Sequence, residues 1–418
     1  EAARLLAEAW LRQGYLSEAW QALAPFEEDY ASDPELALTL GKVALANQEI
    51  TPALKMLKFS WQSLKRDDAL TAYAEALLRV NEKYPNRNQT ELAALLDAIQ
   101  HNEPAAKDEF EFDMLKTDLK AANGIDEEAY SEYLKLLDNP RSKSPRTYHH
   151  LQSQIGKTAR MLGLKDISLA SLQEAMMVDP DNLDTRHILA AAYLDSDLRD
   201  EAFNTARAAL QIAPSDVENL LWFSGFMNEQ HNEKETIQVL RDALHLRPEN
   251  ETLYLTLART YAAAGELVET KETLNKMLTL ETMTTKEYID VANLYLKLNE
   301  TEEASAVILK ALSNNPEPDF EETKDLVYSI LRLGDAEAAL RLVTDLGDHL
   351  GAHPCYQILL SDVQVANKEF ISALDNLNEI LQKIEFAADE ECFASQQYSE
   401  SNRDFPPYDK AGFYYRLA

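Results

Sequence analysis

A spacing of 34 residues constrains this chain more than any other feature of its sequence. The stretch 187–214, HILAAAYLDSDLRDEAFNTARAALQIAP, holds two apolar helical runs joined by a polar DSDLRD turn and closed by a proline. Shifted by 34, Ala190 becomes Ser224, Ala258 and Ala292, and Ala202 becomes Thr236, Thr270 and Ala304. Ala209 becomes Ala243, Met277 and Ala311, and Pro214 becomes Pro248, Thr282 and Pro316. Larger side chains keep phase as well: Leu189 maps to Phe223, Leu257 and Val291, and Tyr193 to Met227, Tyr261 and Tyr295. These units share one register without an insertion.

The spacing predicts that each unit is a helical hairpin. Leu189 and Tyr193, one helical turn apart, lie on one face of the first helix. Ala190 and Ala202 are expected where the paired helices approach, and Ala209 where the next hairpin docks. Pro214 ends the second helix, because it lacks the N–H that a helix interior uses. One hairpin cannot bury its apolar face alone, so neighbours must stack into a continuous core. With 11 Gly and 15 Pro in 418 residues, and with abundant Ala, Leu and Glu, the composition favours helix almost throughout.

The period and its small, aromatic and proline positions resemble the tetratricopeptide repeat (TPR) family. The likeness is strongest over 183–316 and extends upstream to 149–180 through Gly156, Ala175 and Pro180. Downstream it covers 320–351, with Gly334 in the turn and Ala339 opening the second helix, and then 354–385 with Ala373 and Leu377. Leu6, Ala7, Trp10, Gly14, Ala19 and Leu23 form an N-terminal unit, and Leu40, Gly41, Ala44, Ala53 and Leu57 the next. A third spans 68–100, with a stretched turn at YPNRNQT.

The resemblance implies an all-α, right-handed superhelical solenoid of about ten TPR-like hairpins. Residues 1–100 then hold the N-terminal hairpins, 101–148 an irregular helical segment or hinge, and 149–385 the main array. Residues 386–410, with Pro406-Pro407 and no apolar stripe, read as a polar loop insert, and 411–418 as the start of a further TPR helix. Within 101–148 the register is lost, although Phe112, Leu115 and Leu119 keep helical spacing and Gly124 separates two helices. The NPRSKSPR segment reads as a loop. A degenerate hairpin and a hinge both fit this stretch. Neither end shows the polar cap that solenoids need, so a fragment of a longer protein is expected.

Charge narrows the function classes. With 40 Lys and Arg against 72 Asp and Glu, the formal charge is -32. Nucleic acid is therefore not the expected partner, since phosphate binding needs surplus cations. An anionic membrane surface is disfavoured for the same reason, and no apolar run approaches the ~20 residues of a spanning helix. Only Cys355 and Cys392 are present, so no disulfide framework is expected, and the sequence leaves cytoplasm and periplasm both open. There is no GxxxxGK(S/T) or GxGxxG loop, no HExxH and no GxSxG elbow. No catalytic centre and no cofactor are predicted. His349, His353 and Cys355 are the nearest approach to a metal set, but Gly351 and Pro354 break the helix that would align them, and no metal is predicted.

In arrays of this family the first helices line the concave surface, so the resemblance implies a groove for a protein or peptide partner. The predicted partner-binding residues are Lys157, His187, Asn228, Arg259, Lys286, Asn293, Lys324 and Tyr328, with His150, Asp184 and Glu218 also facing inward. Leu221, Leu255, Ile289 and Leu331 lie between them as apolar ridges. Cations and amides at these places would fix the register of an extended peptide or partner helix. Co-chaperone members hold a C-terminal carboxylate with Lys and Asn at set positions. Here Lys286 and Asn293 match, whereas Ile289 and Asp325 depart from that pattern, so the clamp is not expected. The reading is a scaffold or adaptor that binds a partner segment. Two alternatives are the TPR portion of a larger enzyme (a glycosyl- or sulfotransferase) or of a polysaccharide or protein export machine, and a scaffold that self-associates through its end repeats.

Overall fold

The computed structural model describes residues 2–83, 88–101, 109–315, 318–345, 347 and 354–384. These carry 22 α-helices and two 3-10 segments, and no strand occurs among the described residues. The expected insert 386–410, the further helix at 411–418, the first residues of the YPNRNQT turn, and His349 and His353 lie outside them. Two compact units, Glu1–Ile212 and Ala213–Ala418, divide the chain.

The first unit holds six hairpins in sequence order. They are α1 (Ala2–Gln13) with α2 (Leu16–Leu23), α3 (Pro34–Ala46) with α4 (Ile50–Leu64), and α5 (Asp67–Lys83) with α6 (Gln89–His101). Then follow α7 (Glu109–Ala122) with α8 (Asp126–Leu137), α9 (Pro145–Met161) with α10 (Lys165–Val178), and α11 (Leu183–Asp195) with α12 (Arg199–Ile212). The second unit holds five: α13 (Val217–Glu229) with α14 (Glu233–Leu246), α15 (Glu251–Ala263) with α16 (Leu267–Met277), and α17 (Thr285–Lys297) with α18 (Thr301–Asn314). It ends with α19 (Phe320–Arg332) and α20 (Ala336–Asp345), then α21 (Pro354–Ala366) and α22 (Phe370–Ile384). Within each unit, helices pack on their hairpin partners and on the equivalent helix of neighbouring hairpins. The protein is thus an all-α array of stacked hairpins.

Two periodic devices shape each hairpin. The first is a polar cap. Asn182, Asp216 and Asn250 precede first helices, and their side chains accept from the backbone N–H of Thr185, Asn219 and Leu253 at 2.9, 2.7 and 2.9 Å. Such caps satisfy donors that the first helical turn leaves unpaired, each contributing about 1 kcal/mol. The second device closes the intra-hairpin turn. Gly163, Asp197, His231, Gly265 and Asn299, spaced by 34, all adopt positive φ. The N–H of the following residue then reaches back five residues, as Leu198 to the Tyr193 carbonyl (2.9 Å) and Glu300 to that of Tyr295 (2.9 Å). This is the left-handed helix terminus that caps orphan carbonyls. Glycine enters it freely; Asp197, His231 and Asn299 enter at a conformational cost.

Packing accounts for the small positions. Ala190, Ala202, Ala209, Ala258, Ala292, Ala304 and Ala311 are all fully buried. The tightest approach occurs where glycine stands in the same register. A Cβ on Gly156 would lie 2.5 Å from Leu172 Cγ, and one on Gly41 would lie 2.6 Å from Leu57 Cγ. A leucine on the second helix fills the volume that glycine leaves on the first. In the second unit one core cluster runs from Leu255 to Val363 and enfolds Tyr288, Tyr295 and Tyr328.

Residues 109–137 form the hairpin of α7 and α8, which packs between α5 and α9. Its turn glycine, Gly124, stands 39 residues before Gly163. The excess over 34 is taken up by the 3-10 turn Pro140–Lys143, where the sequence suggested an open loop. That turn is held by Ser142, whose hydroxyl donates to the carbonyls of Leu137 and Asn139 at 2.7 and 2.6 Å. A buried Lys120, ion-paired with Glu132 (2.7 Å) and Glu128 (3.1 Å), ties α7 to α8.

Candidate partner-binding surface

The first helices of the second unit carry most of the predicted contact residues, and several of these bond to one another's helices. Asn228 on α13 donates to Thr260 on α15 at 2.9 Å. Arg259 on α15 reaches Asp290 on α17 at 3.4 Å. Asn293 on α17 accepts from Ser329 and Arg332 on α19 at 3.3 and 3.2 Å. Tyr328 on α19 donates to Asp362 on α21 at 2.8 Å. A ladder of polar contacts therefore links five successive first helices. Tyr328 is only 1% exposed and Lys324 only 5%, the ammonium of the latter lying 6.0 Å from the centre of the Phe320 ring. Both were expected to face a groove; packing by neighbouring helices covers them instead. Leu255 and Ile289, expected as ridges, are likewise buried in the core, whereas Leu221 and Leu331 are half-exposed. Arg259 and Lys286 stay exposed.

In the first unit a different surface emerges. Helices α5, α7 and α9 enclose a concavity of about 330 Å3. On α9, Arg146, His150, Gln154 and Lys157 all line it. Their spacing of four, four and three residues keeps them on one helical face. Glu75, Leu78, Arg79 and Asn81 come from α5, and Leu115, Asp118, Ala121 and Ala122 from α7. Lys157 and Arg146 are exposed. His187, on α11, is half-buried and does not line this concavity.

Several lining groups are already engaged. Asp118 accepts from the Tyr133 hydroxyl at 2.6 Å and meets His150 Nε2 at 3.1 Å. Arg79 donates to the Leu45 carbonyl near the end of α3 at 3.0 Å, which fixes its guanidinium in place. Desolvation within the concavity raises the Glu75 carboxyl above its ordinary range, and Glu111 adds to this; Arg79, Lys42 and Arg146 pull the other way. Asn81 Oδ1 is buried and receives no hydrogen bond. Sequence reasoning placed His150 and Lys157 on the inner face but missed Arg146, Arg79 and Asn81. Arg146 lies in the segment where the repeat register fails. The four-four-three spacing along α9 was the signal that could have found it.

Two family models, each described as the tetratricopeptide repeat, match this chain, over residues 227–281 and 288–318. Over those residues the chain carries tetratricopeptide repeats. Among solved structures, the TPR array is similar to a tetratricopeptide repeat protein from Parabacteroides merdae ATCC 43184 (16% identity, 62% of this chain and 99% of that chain, TM-score 0.37). It is also similar to yeast Tom70 (12% identity, 93% and 92%, TM-score 0.39) and to the human IFIT1 dimer with PPP-AAAA (17% identity, 92% and 82%, TM-score 0.38). No curated protein sequence matches the TPR chain. Among its described residues, no helix is long and apolar enough to cross a membrane. TPR arrays serve in general as protein-interaction scaffolds.

Proposed function

We propose that this chain is a non-catalytic scaffold that seats a segment of a partner protein against the exposed inner faces of its first helices. The observation that carries this reading is the concavity of α5, α7 and α9, lined by convergent polar groups with Lys157 and Arg146 open to solvent. Solenoids bind through such recessed surfaces. In the second unit, Arg259 and Lys286 offer further cations on the corresponding helices. Around them, Asn228 Nδ2, Asn293 Oδ1 and the Tyr328 hydroxyl are already engaged in the ladder.

Lysine-directed crosslinking of the full chain in extract from its native cell tests this reading. Adducts to a captured partner are expected at Lys157 and Lys286. Adducts confined to second-helix lysines such as Lys165, Lys234 and Lys276 would overturn it. Charge reversal of Arg259 together with Lys286 is expected to weaken capture and leave helicity intact. Lys324 is unsuitable for that experiment, because reversing a buried cation unfolds its surroundings.

A further inference from the structure

We propose that the concavity of α5, α7 and α9 binds an extended acidic peptide segment, with one carboxylate at Arg146, a second at Lys157, and peptide backbone between them. This rests on the scaffold reading and names the chemistry of its ligand.

The unequal state of the lining charges favours an acidic visitor. Arg146 and Lys157 close no ion pair and donate no hydrogen bond among the described residues; Arg146 feels Glu75 and Lys157 feels Asp126 only through the longer-range field. The lining carboxylates are less available. Asp118 is held by Tyr133 and His150. Glu75 lies between Arg79, Lys42 and Arg146, with Glu111 adding a like charge. A carboxylate arriving at Arg146 or Lys157 gains charge-assisted hydrogen bonds that these cations do not yet make. A cation arriving instead would have to take Asp118 from its two donors. An extended peptide also brings N–H groups, and Asn81 Oδ1 is a buried acceptor with no donor. Gln154, which can both donate and accept, stands between the two cations on α9.

Geometry sets the spacing of the ligand. Arg146 and Lys157 are 11 residues apart on one helix, which is about 16 Å along its axis. An extended chain advances roughly 3.3 Å per residue, so the two acidic positions should be about five residues apart. A single C-terminal carboxylate does not bridge that distance, which separates this site from the clamp pattern that Ile289 and Asp325 lack.

The test is fluorescence anisotropy of the full chain with labelled peptides. The probe carries two Asp residues separated by four Ser-Gly spacer residues; the others replace both Asp by Asn, replace both by Lys, or place the two Asp side by side. The spaced Asp peptide is expected to bind at least tenfold tighter than its Asn form and several-fold tighter than the adjacent-Asp form. Arg146→Gln and Lys157→Gln should each remove most of that difference, while Arg199→Gln, on α12 away from the concavity, should not. Circular dichroism checks that the variants stay helical. Equal binding of Asp and Asn peptides, preference for the Lys peptide, retained binding in the Arg146→Gln/Lys157→Gln double variant, or displacement by a short oligouridylate at lower concentration than by the unlabelled Asp peptide would each overturn the proposal. Crosslinks at Lys286 and Lys157 to a captured partner would still leave the scaffold reading standing in those cases.

Discussion

The first helices of the two units use the same kinds of side chain for different ends. In the second unit, Asn228, Arg259, Asn293 and Tyr328 reach to the next first helix and bond there. In the first, α9 shares this habit through Asp118–His150 and through Ser153, which meets Thr185 at 3.1 Å, yet it leaves Arg146 and Lys157 exposed over a hollow. Register alone does not separate the two roles. What separates them is whether a neighbouring helix supplies the partner or solvent does.

The largest break of this comparison comes from Tyr328. Replacing it by Ala should cost about 3–5 kcal/mol, as truncation of a buried aromatic ring does. Tyr328→Phe, which removes only the hydroxyl bonded to Asp362, should cost about 1 kcal/mol. Hydrogen exchange over α19 and α21 reads both, and neither variant should change binding of acidic peptide to the first unit. A Tyr328→Ala protein as stable as the parent would return this residue to the solvent-facing set. Asn293→Ala deletes the acceptor shared by Ser329 and Arg332, and a loss of about 1–2 kcal/mol in urea unfolding is expected.

Smaller effects sharpen the contrast. Glu75→Gln should leave neutral-pH stability undiminished and tighten the spaced Asp peptide by about 2–3-fold, since it removes one like charge across solvent. The sign of its pH dependence follows from the raised carboxyl. A folded-state value above the unfolded one means that folding gains as pH falls through the folded range, where Glu75 takes up its proton. Glutamine should abolish that gain, and acid titration of the melting temperature measures it. Last in size, Arg259→Ala breaks a half-exposed pair at 3.4 Å and should shift stability by no more than about 0.5 kcal/mol. A larger shift would mean that the Arg259–Asp290 contact carries structural weight equal to the Tyr328 bond.

The hairpins were legible in the sequence because their causes are local and periodic. Ala190, Ala202 and Ala209 report close approach wherever the period carries them, and Gly14 and Gly334 report the turn. The left-handed position was harder to see, since Gln48, Asp197, His231, Asn299 and Lys368 together stand there as often as glycine does among the described residues. The site was less legible for two physical reasons. A residue's angle on its helix says which way it points but not what covers it, and α21 supplies the carboxylate of Asp362 that claims Tyr328. An insertion also hides equivalence: the turn Pro140–Lys143 displaces Arg146 from the count, although helical spacing still aligns it with Lys157.

The ladder of the second unit has a mechanical consequence. Its bonds are arranged in series, so tension along the array loads them all alike, and the one most wetted by solvent yields first. That rung is Arg259–Asp290, with side chains 51% and 34% exposed. Raising ionic strength weakens such a rung while sparing the buried hydroxyl contact of Tyr328. Within the second unit, the polar contact between α15 and α17 is therefore the rung that salt weakens first.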